Sequence, residues 1–258
     1  MGFTNSKTRV AATVAVAGAV MSMAATANAM LVPGTPAKDV HVGRDNDNAN
    51  NTFIQPPGVT AKQHMDDTDV VFGRDNDDLL IGVKGGDTLI GGRGHDILVG
   101  GPEAGTAPTP NSDVLLGDEG HDINIWAPGD GSDAFVGDTG YDTMVFAPFV
   151  LNTDGTLKLR RAHGRKVPQV DIGGKPQFSC TIVPVPASQN LGAQFLVRFN
   201  VNGNPVVTVR QKDVERLLCT SPIAGKAAVA DLTVAHPTFR NVWLTSIPGT
   251  LGDIVKAP

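Results

Sequence analysis

The sequence predicts an all-β protein: a parallel solenoid of nine-residue units, or β-roll, followed by a smaller β-rich domain. Three observations carry that prediction. Gly91 to Val99 reads G-G-x-G-x-D-x-U-x, where U is a large apolar residue. The same phase returns on both sides of it, in copies beginning at His64, Gly73, Gly82, Gly91, Pro108, Gly117, Pro128 and Gly137. The chain has 30 glycines and only 5% aromatic residues, the balance that turn-dense β structure produces.

Two positions of the unit are nearly fixed. Position six is aspartate in every copy: Asp69, Asp78, Asp87, Asp96, Asp113, Asp122, Asp133 and Asp142. Position eight is Val71, Leu80, Leu89, Leu98, Leu115, Asn124, Phe135 and Met144, so only Asn124 breaks an apolar column. The first six residues must turn and the last three form a short strand whose middle side chain faces inward. Position four is Gly85, Gly94, Gly120, Gly131 and Gly140, with Asn76 and Asn111 as substitutes. Asparagine tolerates the left-handed region better than most residues, which points to a turn there.

The elements follow in order. Residues 1–29 read as a secretory signal peptide, with Lys7 and Arg9 before the apolar run Val10 to Val20 and Ala27-Asn28-Ala29 as cleavage site. Residues 30–63, rich in Pro, Asn, Asp and Gly, are expected as a loop-like lead-in or cap. Within it, Gly43 to Asn48 nearly copies Gly73 to Asp78, a candidate extra ion site. Residues 64–145 form the solenoid, with insertions at Gly100 to Ala107 and at Trp126-Ala127 expected to leave by one face. Both insertions are expected to interrupt the aspartate ladder.

Residues 146–258 lose the repeat and read as the β-rich C-terminal domain. Gln177 to Val185 is strand-like, and Ala193 to Asn200 and Pro205 to Arg210 flank a hairpin turn at Val201 to Asn204. A helical turn is expected over Lys212 to Leu218 and a late strand over Trp243 to Ile247. Cys180 and Cys219 are the only cysteines, and with an export signal they are expected to form one disulfide.

Charge divides the chain. From His64 to Val145 seventeen acidic residues stand against Arg74, Lys84 and Arg93, a net of −14, whereas Phe146 to Pro258 carries a net of +7. Copies n and n+2 lie above one another in a roll of this period, which stacks Asp78 over Asp96. Such a carboxylate file repels itself unless cations neutralise it. Hard oxygen donors from aspartate and turn carbonyls match Ca²⁺, which takes 6–8 oxygens in flexible geometry, better than Mg²⁺. Several Ca²⁺ ions are therefore expected between turns, and binding is expected to drive folding.

The segment 64–145 resembles the repeats-in-toxin (RTX) family of haemolysin-type calcium-binding repeats, and Gly91 to Val99 matches that motif in full. The resemblance implies a right-handed parallel β-roll that folds on extracellular calcium. It implies, by position, the ligands Asp69, Asp78, Asp87, Asp96, Asp113, Asp122, Asp133 and Asp142. With them go Asp75 and Asp130 at position three and the turn glycines Gly85, Gly92, Gly94, Gly120, Gly131 and Gly140. Many members leave the cell through an uncleaved C-terminal signal; the N-terminal leader here departs from that pattern and weakens inferences about host-cell attack.

No catalytic residue is assigned. The chain lacks H-E-x-x-H and G-x-S-x-G. His95 and His121 occupy position five, a variable turn site. The basic run from Lys158 to Lys166 suits an anionic polysaccharide or cell surface, but without interleaved aromatics it does not support nucleic-acid binding. The expectation is a secreted, non-enzymatic calcium-binding protein, a surface or matrix component. A carbohydrate-active enzyme built on the roll, with Tyr141, Trp126, Phe135 and Phe146 lining a groove, is the first alternative. A calcium-dependent adhesin is the second.

Overall fold

The computed structural model describes residues 30–32, 40–42, 69–82, 85–101, 112–162, 164–189 and 192–255. The expected signal peptide, the turn at Gly43 to Asn48, and Asn111 lie outside the described residues. Ten strands lead to the end of the repeats: β1 (Met30–Val32), β2 (Val40–Val42), β3 (Asp69–Asp75), β4 (Leu79–Ile81), β5 (Thr88–Gly94), β6 (Ile97–Val99), β7 (Val114–Gly120), β8 (Ile123–Trp126), β9 (Ala134–Gly140) and β10 (Thr143–Phe146). Odd strands stand side by side in one sheet and even strands in another, parallel throughout. The chain changes sheet with every copy, and each copy pairs with the copy two further on.

The nine-residue period produces this directly. Every position-eight side chain is buried, and Val71, Leu80, Leu89, Leu98, Leu115, Phe135 and Met144 share one core drawn from both sheets. Asn124 is buried too, with its Nδ2 lacking a hydrogen-bond partner among the described residues. On the even sheet, positions seven and nine (Leu79, Ile81, Ile97, Val99, Ile123, Ile125) belong to a second core, closed by Val170, Leu251 and Ile254 from the C-terminal segment. A parallel sheet covered on both faces needs unbroken apolar runs, and Leu79-Leu80-Ile81 and Ile97-Leu98-Val99 are such runs.

The C-terminal segment continues both sheets. A hairpin of β11 (Leu159–Ala162) and β12 (Arg165–Pro168) comes first. β13 (Phe178–Pro184), β14 (Phe195–Val201) and β15 (Asn204–Lys212) form an antiparallel meander whose last strand pairs parallel with β9. β16 (Arg216–Cys219) pairs parallel with β10, and β17 (Lys226–Asp231) and β18 (Arg240–Trp243) extend that sheet antiparallel. Each sheet thus has eight strands, parallel and then antiparallel. The one helix among the described residues outside 3₁₀ turns, α1 (Gly249–Val255), packs its Leu251 and Ile254 into the second core. No helix among the described residues is long and apolar enough to cross a membrane.

Several expectations change. The lead-in, expected as loop-like, supplies the first strand of each sheet, because Met30–Val32 pairs with Asp69–Val71 and Val40–Val42 with Leu79–Ile81. Lys212 to Leu218 is not helical: Leu217 and Leu218 bury as a strand beside Met144 and Val145. The late strand ends at Trp243, and Leu244–Ser246 is a 3₁₀ turn. The hairpin stands as expected, with Asn202 and Gly203 at positive φ between β14 and β15. Cys180 and Cys219 are bonded, tying the outermost strand of the odd sheet to β16 of the even sheet.

Candidate metal centre

The turns fall on two edges. Copies that cross from the odd to the even sheet put Asp78, Asp96, Asp122 and Asp142 on one edge. Copies that return put Asp87, Asp113 and Asp133 on the other. All seven are buried. Each file is a hydrogen-bonded ladder. On the first edge the backbone N–H of Asp78 donates to Asp96 Oδ1 (2.7 Å), that of Asp96 to Asp122 (2.8 Å), and that of Asp122 to Asp142 (2.8 Å). On the second edge Asp87 donates to Asp113 (2.7 Å) and Asp113 to Asp133 (2.9 Å). Neither insertion breaks the ladder, contrary to expectation; Trp126-Ala127 does not leave the fold, since Trp126 ends β8 and both residues are buried.

The second carboxylate oxygen is the chemically unusual atom. Oδ2 of Asp96, Asp113, Asp122 and Asp142 is buried with no hydrogen-bond partner among the described residues. It lies where a side chain on the position-one glycine of the same turn would go: Gly91 for Asp96, Gly117 for Asp122, Gly137 for Asp142. Gly100 fills that place for Asp113, so the insertion sits inside the turn, after its first residue, and Pro108 is not its start. Burial pushes the carboxyls of Asp96, Asp113 and Asp142 up to about 7 and Asp122 up to about 8. The N–H bond that each of the four receives opposes this, as does Arg165 at Asp96, and neighbouring carboxylates add to it at Asp96, Asp122 and Asp142.

Backbone oxygens run beside the carboxylates. A Cβ on Gly120 would strike the carbonyl of Gly94, and one on Gly140 that of Gly120. The position-four residues Asn76, Gly85, Gly94, Gly120, Gly131 and Gly140 all have positive φ, as does Gly92. Asn76 therefore takes the left-handed turn that its substitution for glycine suggested. The edge is a strip of hard oxygens, the donor set that suits Ca²⁺. Among the described residues no three His, Cys, Asp or Glu side chains converge on one point. A cation held here would draw most of its ligands from the backbone.

No protein-family model, curated protein or solved structure matches this chain. The site is therefore defined by its own geometry.

Other candidates take different places. Asp75 is half-exposed and pairs with Arg93 (3.7 Å). Asp130 is buried and its Oδ2 accepts the N–H of Ala127 (3.2 Å), which closes the turn before β9. Asp69 begins β3. Sequence reasoning missed Glu215, whose Oε2 accepts the Asp142 N–H (2.6 Å) and ends the first ladder. Its signal was present: Glu215-Arg216-Leu217-Leu218 repeats positions six to nine, with Glu for Asp, but the turn before it has shrunk. Of the four aromatics considered for a groove, Trp126, Phe135 and Phe146 are core and only Tyr141 is exposed. The basic run is partly consumed within the fold: Arg160 pairs with Asp253 (2.7 Å), and Arg165 reaches the carbonyls of His95 and Asp78.

Proposed function

We propose that residues 64–145 form a right-handed parallel β-roll of the RTX kind, and that the protein is an exported, non-catalytic calcium-binding component of a cell surface or matrix. The observation that carries this reading is the set of buried, unpartnered Oδ2 atoms of Asp96, Asp113, Asp122 and Asp142. A buried carboxylate is costly; Arg165 offsets part of that charge at Asp96 and Asp122, and a proton or a cation relieves the rest. The recurrence of aspartate at position six in all eight copies favours the cation, since an amide or hydroxyl would serve a purely hydrogen-bonded ladder without that cost. The adjoining carbonyl file supplies the remaining oxygens Ca²⁺ requires. Burial of Trp126, Phe135 and Phe146 argues against a sugar-binding groove on the roll.

The test is circular dichroism of the purified protein during a Ca²⁺ titration, with Mg²⁺ as control. The expected result is a β signal that rises with Ca²⁺ in the submillimolar-to-millimolar range and far less with Mg²⁺. Asp96→Asn with Asp122→Asn keeps the Oδ1 acceptors but removes two charged ligands, and should blunt the response. A full β spectrum in chelator, indifferent to Ca²⁺ in both proteins, would reject the reading.

A further inference from the structure

A second hydrogen-bonded file runs along the first edge, one residue before the aspartates and in the opposite direction. Asp77 Oδ1 accepts the N–H of His95 (3.0 Å), His95 Nδ1 that of His121 (2.9 Å), and His121 Nδ1 that of Tyr141 (2.8 Å). The two imidazoles stack with centroids 4.9 Å apart. Because each Nδ1 is an acceptor, the proton of each neutral ring sits on Nε2, which is therefore a donor. The rings face a cleft of about 200 Å³ beneath the C-terminal segment, which His95, His121, Tyr141, Arg165, Arg216 and Thr250 help to line, with the ladder aspartate Asp122 at its border.

Two arginines enter this cleft without full satisfaction. Arg216 gives Nε and Nη2 to the hydroxyl of Thr143 (3.0 and 2.9 Å) and lies 5.1 Å from the Tyr141 ring centroid, with no carboxylate partner among the described residues. Arg165, whose side chain is 8% exposed, binds the carbonyls of His95 and Asp78 and stands 3.9 Å from Asp77, yet its Nε is buried with no partner. Asp78, Asp96 and Asp122 also face Arg165, so its charge is shared, whereas that of Arg216 is not.

We propose that this cleft is a binding site for an oxyanion, a carboxylate, sulfate or phosphate group, anchored by Arg216. Imidazole Nε2–H groups, guanidinium N–H groups and the Thr250 hydroxyl offer mainly donors, and a guanidinium fork suits planar or tetrahedral oxyanions. A neutral ligand would leave Arg216 partly buried without a counter-charge. The site borders the ladder at Asp122, but its donors come from position five and the C-terminal segment, so it does not rest on the calcium reading.

The chain has one tyrosine, so protein carrying ¹³C-tyrosine gives a single ring signal at the site. That signal would be followed by NMR during titration with sodium sulfate and with glucuronate, against sodium chloride at matched ionic strength, in calcium and again in chelator. The expected result is a saturable shift with one or both probes, weakened at least tenfold by Arg216→Gln and only partly by Arg216→Lys. Tighter binding of glucuronate assigns the site to organic carboxylates, and tighter binding of sulfate to tetrahedral anions. Thr250→Glu places a carboxylate in the lining and should abolish binding; it decides the matter if Arg216→Gln does not fold. Shifts that fail to saturate, or that survive both Arg216→Gln and Thr250→Glu, would overturn the proposal.

Discussion

Asn124 is the residue that most clearly departs from the pattern around it. It stands in a column of Leu98 and Met144, paired in register with both, buried and with an unpartnered Nδ2. Replacing a buried unsatisfied amide with an apolar side chain of similar volume removes a desolvation cost of about 1–3 kcal/mol. Asn124→Leu should therefore stabilise the protein by that order, read as an increase in the urea midpoint at unchanged slope. Gly120 makes the opposite case. Its φ is 157° and a Cβ there would run into the carbonyl of Gly94. Gly120→Ala should destabilise by more than about 1 kcal/mol, visible as a lowered melting temperature. Both substitutions are conservative in size, and they differ in sign because one site has a misfit polar atom and the other has no room.

The pH response belongs to the ladder as an element. Asp96, Asp113, Asp122 and Asp142 titrate near 7 to 8 in the folded, metal-free protein and near 4 when unfolded. The folded form therefore binds more protons, and stability from this source is complete below about pH 4 and lost as pH rises through 7 to 8. In chelator the urea midpoint should be higher at pH 5 than at pH 8, the reverse of ordinary acid denaturation. The strands and the ladder were legible in the sequence because a fixed period forces both. Position eight of all eight copies is buried, and each position-six aspartate from Asp78 to Asp142 meets a neighbour two copies away. The elements misread were those whose partners are remote. Arg216–Cys219 looks polar at its start because Glu215 and Arg216 answer Asp142 and Thr143, 73 residues earlier. The three-residue strand Val40–Val42 is too short to show a period and forms because β4 offers it an edge.

At the scale of the molecule, the disulfide joins the two sheets at the end where the repeats have already stopped. The chain there carries Gln211, buried at the column position beside Phe135 with neither amide atom partnered, so packing alone holds that end poorly. Cys180→Ser with Cys219→Ser should cost about 2–5 kcal/mol, measured as a fall in melting temperature that reducing agent reproduces in the parent protein. Partial proteolysis of the reduced protein should cut first in the meander of β13 to β15, whose outermost strand then loses its covalent tie to the other sheet.

The ladder also gives the repeats a direction. Each aspartate N–H looks towards the next copy but one, as each subunit of a filament offers a site to the subunit that follows. Nothing inside a copy tells such a stack to stop. Glu215 takes the last N–H, and β15 and β16 occupy the two sheet edges that another pair of copies would extend. The C-terminal segment thus acts as a chain terminator. A protein cut after Ala147 would present two open parallel edges and an unanswered donor, a template for the next molecule, and light scattering should report end-to-end growth beyond that of the intact chain. Glu215, β15 and β16 take the bonds that a further pair of copies would otherwise have taken.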